Sequence, residues 1–191
     1  SNNPQRVSEL LEVAQTYVDA GAQLKWDASR DTPLQSVEPI HTRYTAPYAL
    51  TCSSFANMVL AAWKYNDTTY VANSNTASYS WGTNFDRPAG TQPPFQAWKL
   101  LRWMDWQGRA AVYTPGVDNY QPGDLLFFSR QNPEGPGTSG EYYMNVYHVS
   151  IYMGNNRVVH SISPDTGNGV VIQNLDQSLK NDLTFIARPN L

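Results

Sequence analysis

Cysteine is almost missing: Cys52 is the only one in 191 residues. A single thiol forms no disulfide within the chain, and it excludes zinc sites built from several cysteines. Charge is scarce as well. Charged residues make up 15% of the chain, and 13 Lys and Arg against 16 Asp and Glu leave a formal net charge of −3. No cluster of basic residues occurs, so the electrostatic footprint of a nucleic-acid binder is lacking. No apolar run approaches the ~20 residues that span a bilayer. There is no internal repeat, no heptad pattern and no recognisable signal peptide. The first residue is Ser1, and the expectation is a mature form, an excised domain or a part of a larger polypeptide.

What remains is a polar, weakly charged chain rich in rings. Hydrophobic residues make up 41% and aromatics 13%, with 6 Trp and 12 Tyr. That is enough for one core, and residues 1–191 read as one domain. Asn3 and Pro4 open a helix over 4–20 whose apolar stripe is Val7, Leu10, Leu11, Ala14, Tyr17 and Val18. A second, nearly all-apolar helix runs from Cys52 to Lys64. A third is read in "PPFQAWKLLRWMDWQG", with Phe95, Trp98, Leu101, Arg102 and Trp106 near one packed face. Long loop inserts are expected near 66–94 and 130–145. The second half changes character: "GDLLFFS", "VYHVSIYMG", "RVVHSIS", "GVVIQNL" and "LTFIARP" read as strands, and Asp124 as a turn holder. Helices followed by an antiparallel run of strands predict an α+β fold, one sheet packed on N-terminal helices.

The lone thiol then gains a context. Cys52 starts a helix, where the helix end favours a thiolate. A thiol needs a base, usually imidazole, and that imidazole needs a partner on its other nitrogen. His148 and His160 lie on consecutive strands joined at Asn155–Asn156. A plain two-residue turn pairs 154 with 157 and puts the two histidines on opposite faces. A longer turn, or a bulge, pairs 149 with 161 and puts them on one side. The sequence leaves both registers open. His41 reads as a loop residue without a catalytic task.

"TCSSF", "PGDLLFF" and "HVSIYMGNNRVVHS", in this order and at these spacings, resemble the NlpC/P60 family of papain-like cysteine peptidases. The resemblance covers about residues 25–163. It implies a papain-like fold with Cys52 as nucleophile at a helix N-terminus, His148 as base and His160 as the orienting residue, another polar group being the alternative to His160. It also implies that the Cys52 amide helps to form the oxyanion hole, and that no metal or organic cofactor takes part. The implied reaction is cleavage of an amide bond in peptidoglycan stem peptides, typically D-γ-glutamyl to a diamino acid. The implied setting is extracellular, periplasmic or virion-associated, as in a wall-remodelling enzyme, a phage tail or lysin component, or a delivered toxin.

The pattern has departures. Thr51 stands where the family has an acidic residue, Ser150 where it has Gly, and Ile40 where it has a Tyr that shapes the site. Tyr44, Tyr48 and Trp26 lie nearby, and Thr51, Ser53, Tyr48 and Trp26 are the expected substrate-binding residues. The alternatives are a CHAP-like amidase, another amide hydrolase or acyltransferase of the same fold, and a non-catalytic wall-binding module. Retention of Cys52 and His148 argues against the last.

Overall fold

The computed structural model describes residues 2–28, 45–66, 96–130, 143–162 and 169–191. Ile40, His41, Tyr44 and nearly all of the expected inserts at 66–94 and 130–145 lie outside the described residues.

Helix α1 spans Pro4–Asp19. It starts there because the Asn3 side chain accepts hydrogen bonds from the Gln5 and Arg6 amides, at 2.9 and 3.3 Å. Its buried residues are Val7, Leu10, Val13, Ala14 and Tyr17. Val13 thus joins the expected stripe, while Leu11 and Val18 sit at its margin.

Helix α2, Cys52–Leu60, is buried at all nine positions. It stops four residues before the expected Lys64. Ala62 turns left-handed, with φ 58°. The Ala62 amide then donates to Val59 O at 2.8 Å and the Trp63 amide to Met58 O at 3.0 Å. This pair of bonds satisfies the last carbonyls of the helix and usually has glycine at its centre.

Helix α3, Ala97–Trp106, buries Ala97, Leu100, Leu101 and Met104. Of the expected packed face, Leu101 is buried and Trp98 packs half-buried against the core, while Phe95 lies outside the described residues. Trp106 is 69% exposed, and the Arg102 guanidinium lies over the Trp98 and Trp106 rings at 5.0 and 4.9 Å. Trp98 thus packs as expected, whereas stacking with a cation holds the Trp106 indole at the surface.

The strands are β1 (Leu24–Lys25), β2 (Tyr48–Ala49), β3 (Ala110–Val112), β4 (Leu125–Ser129), β5 (Val146–Gly154), β6 (Arg157–Ile162), β7 (Gly169–Asn174) and β8 (Leu183–Ala187). The first two form a short parallel pair. The other six form an antiparallel sheet in the order β3-β8-β4-β5-β6-β7. Every residue of β4 is buried because both faces are covered. Leu125 and Phe127 join the core shared with the three helices, and Leu126 and Phe128 a second cluster with Tyr113, Val158, Leu183 and Ile186. A short helix α4, Gln177–Asp182, capped by Asp176, adds Leu179 to that cluster. Asp124 does hold its turn: fully buried, it accepts from the Gln121 amide at 2.7 Å and pairs with Arg188 at 2.9 Å. Where β7 starts, a Cβ on Gly169 would sit 2.7 Å from Leu24 O, so the strand passes β1 closely only because that residue is glycine.

The left-handed alanine gives a first test. Replacing Ala62 by Gly removes the Cβ strain of that conformation and should stabilise the fold by about 1 kcal/mol. Urea unfolding of Ala62→Gly beside the parent measures this; an unchanged or lower midpoint would contradict it.

Candidate active site

Cys52 is the first residue of α2 and is 7% exposed. Thr51 is the residue that lets the helix begin there. Its hydroxyl accepts from the Ser54 amide at 3.5 Å and donates to Ser54 Oγ at 3.2 Å. Carboxylates and hydroxyls both cap helices, so Thr51 supplies the cap here without a charge. The chain leading into α2 is pinned from two sides. The Leu50 amide donates to Lys25 O at 2.9 Å, and Ser161 Oγ of β6 donates to Leu50 O. The sulfur is therefore held at a helix end that carries partial positive charge.

The hairpin settles the open register. Asn155 and Asn156 have φ 52° and 58°, the two left-handed residues of a tight turn, and Gly154 pairs with Arg157. The register then shifts between Tyr152 and Gly154, so that Tyr152 pairs with Val158 and Ile151 with Val159. The turn is short, as in one expectation, and the bulge restores the register of the other. A one-residue slip moves every side chain to the opposite face. The slip puts His148 and His160 on the same side as diagonal neighbours. His148 Nε2 and His160 Nδ1 lie 2.7 Å apart in a hydrogen bond, with ring centroids at 4.8 Å.

Gln173 extends this pair. Its Oε1 accepts from His160 Nε2 at 2.9 Å. Sequence reasoning missed it, because it depends on the β6–β7 register, in which His160 pairs with Val171.

Two adjoining hollows, about 300 and 400 Å³, share Trp26, Cys52, Arg130 and Tyr147 as lining. The larger also contains His148, His160 and Gln173. Thr51, Ser53 and Trp98 line the smaller. Of the expected substrate-binding residues, Trp26, Thr51 and Ser53 therefore border the cleft. Tyr48 does not line it: it is packed in the core, its ring 6.4 Å from that of Tyr65. Arg130 and Tyr147 were not anticipated. The Arg130 guanidinium lies 4.0 Å from the Tyr147 ring centre, and Tyr147 donates its hydroxyl to Asp182 Oδ2 at 2.7 Å. Burial, followed by that bond to Asp182, pushes the Tyr147 hydroxyl well above its ordinary range, so it stays protonated. A larger hollow, about 490 Å³, lies beside Arg109 and Arg188, but neither Cys nor His lines it. Among the described residues, no group of three or more His, Cys, Asp or Glu is placed to hold a metal ion.

Burial controls the histidines. His160 is 1% exposed, and desolvation pushes it from 6.5 down to about 4, against an opposing pull from Gln173. His148 keeps some surface at the cavity, yet desolvation and the neighbouring His160 drive it well below 6.5. Both rings are neutral at pH 7.

A stability prediction follows. As pH falls from 6.5 to about 4, the unfolded chain takes up a proton that folded His160 refuses. Stability should therefore decline as pH is lowered across that window, by on the order of 3 kcal/mol from this group, with His148 acting in the same direction. Urea midpoints at pH 7, 5.5 and 4.5 test it, with His160→Gln as the comparison. Equal slopes for both proteins would refute the assignment.

No family model and no curated protein matches the sequence. Solved structures do. A Staphylococcus aureus protein described as similar to lipoprotein of the NLP/P60 family is 17% identical, with TM-score 0.51 over 98% of this chain and 42% of its own. The peptidoglycan hydrolase RipB of Mycobacterium tuberculosis is 16% identical, with TM-score 0.43 over 98% and 68%. RipD of the same organism, described as a non-catalytic NlpC/p60 domain protein, is 11% identical, with TM-score 0.45 over 94% and 96%. The chain spans about two fifths of the length of the first of these. With helices packed on an antiparallel sheet and the cysteine at a helix N-terminus, the chain has the α+β, papain-like fold of the NlpC/P60 proteins.

Proposed function

We propose that the protein is a cysteine amidase or endopeptidase acting on the stem peptides of peptidoglycan, with Cys52, His148 and His160 as its reacting group. The observation that carries this reading is the hydrogen-bonded histidine pair in the cavity that Cys52 lines from a capped helix end. The substrate class follows the motif resemblance in "TCSSF", "PGDLLFF" and "HVSIYMGNNRVVHS". The bond we assign is the one between D-γ-glutamyl and a diamino acid. Such a substrate sets the place of work outside the cytoplasm, in a secreted enzyme or a phage or secretion assembly.

The reaction is an acyl transfer through a thioester. His148 takes the proton from Cys52 Sγ, and the thiolate adds to the scissile carbonyl carbon. The oxyanion forms in front of the helix N-terminus, where the Cys52 amide donates to it. His148 returns the proton to the departing nitrogen as the C–N bond breaks. Water, deprotonated by the same ring, then opens the thioester to a carboxylic acid and restores the thiol. Arg130 supplies positive charge at the cleft, which suits the free carboxylates of a stem peptide.

Two outcomes are expected. Wild type digesting purified peptidoglycan of the diaminopimelate or lysine type should release new stem-peptide fragments, read by mass spectrometry. Cys52→Ala and His148→Ala should lose about 10³-fold or more in rate while staying folded. Turnover by Cys52→Ala at the wild-type rate would end the mechanism. Separately, Arg130→Gln should raise KM about threefold to tenfold and leave kcat within about twofold. A loss confined to kcat would remove Arg130 from substrate binding.

A further inference from the structure

We infer that Gln173 is a positioning residue that sets the direction of the proton chain through both histidines, and so makes His148 Nδ1 the basic atom of the site. The inference rests on the reading of Cys52 and His148 as nucleophile and base, and it adds a residue outside that group.

The argument is an accounting of protons. A carbonyl oxygen only accepts. Gln173 Oε1 lies 2.9 Å from His160 Nε2, so that nitrogen carries the proton. A neutral imidazole has one N–H, which leaves His160 Nδ1 bare and accepting. It faces His148 Nε2 at 2.7 Å, and that nitrogen must donate. His148 then holds its only proton on Nε2, and its lone pair is on Nδ1. Cys52 borders the same cavity.

Turning the Gln173 amide over reverses every step. The Nε2 amino group would donate to His160, His160 Nδ1–H would donate to His148 Nε2, and His148 would hold its proton on Nδ1. Such a ring has no lone pair left to accept a proton from a thiol. One amide thus decides between a base and an inert ring, at a distance of two hydrogen bonds. When His148 gains the proton, the chain needs no rearrangement: both bonds already point toward the Gln173 oxygen and become charge-assisted.

Two measurements test this without a cell-wall substrate. In wild type at pH 7, 15N NMR of labelled histidines should show both His148 and His160 as Nε2–H tautomers, assigned with His148→Gln and His160→Gln. Nδ1–H tautomers at both would overturn the inference. The second is alkylation of Cys52 by iodoacetamide, with Cys52→Ala as the blank. Here the Sγ proton passes to His148, the S–C bond forms and iodide leaves. Gln173→Glu keeps an acceptor and should alkylate within about threefold of wild type. Gln173→Met keeps the length but loses the acceptor and should be slower by about tenfold or more. Gln173→Leu repeats that test if the methionine variant misfolds. A methionine or leucine variant as fast as wild type, or a glutamate variant as slow as methionine, would overturn the inference. Because no stem peptide is involved, failure to cut peptidoglycan leaves this result standing on its own.

Discussion

The site depends on one irregularity in one hairpin. Between Tyr152 and Gly154 the β5–β6 register slips by a residue. Without the slip, the Asn155–Asn156 turn would carry Arg157 opposite Gly154 into a ladder that places His148 and His160 on opposite faces. With it, two rings twelve residues apart in sequence meet at 2.7 Å. A bulge leaves a residue out of the ladder and disturbs it locally. Here that cost falls at the outer end of the hairpin, while β5 beyond it pairs regularly with β4 from Leu125 to Phe128. A second register shift, between Phe128 and Ser129 in the β4–β5 ladder, falls directly beside His148, which pairs with Phe128.

The second constraint is burial around the thiol. Helix α2 hides all nine of its residues, three of them serines or asparagine. Buried polar groups need partners, and the helix supplies several of them locally. Thr51 and Ser54 bond each other, and Asn57 Nδ2 donates back to Ser53 O at 2.9 Å. These same bonds fix where the helix begins, and hence where the sulfur sits. The Thr51 position illustrates the point: what it must supply is an oxygen for the Ser54 amide, and a hydroxyl provides that as a carboxylate would.

Much of this was legible in the order of the residues. All five strands read in the second half occur where alternation and turn signals placed them. The first helix start is marked by its cap, Asn3, and the second was read at Cys52, although its cap Thr51 was not recognised as one. That Cys52 starts a helix was read from the sequence, and a meeting of His148 with His160 was one of the two registers it left open. What escaped depends on tertiary register or on neighbours. Gln173 reaches His160 only through β6–β7 pairing. Tyr48 was expected in the cleft, yet ring packing against Tyr65 takes it into the core. Trp106 of α3 was expected to be packed, yet it is 69% exposed with the Arg102 guanidinium over its ring. Helix α4 is a single capped stretch of six residues, too short to show a period.

The neutrality of the two histidines bears on how the proposed reaction is powered. A site holding a standing thiolate–imidazolium pair needs the charged ring to be stable before substrate arrives. Here burial opposes that charge at both rings, so charge separation is deferred to the reaction itself. What then stabilises it are fixed dipoles: the N-terminus of α2 for the sulfur and the oxyanion, and the aligned His160 and Gln173 bonds for the imidazolium. None of these needs a full charge, which suits a chain with so few. The same arrangement makes direction matter more than strength. A neutral relay with two possible polarities is productive in one of them, and the carbonyl of Gln173 is what selects it.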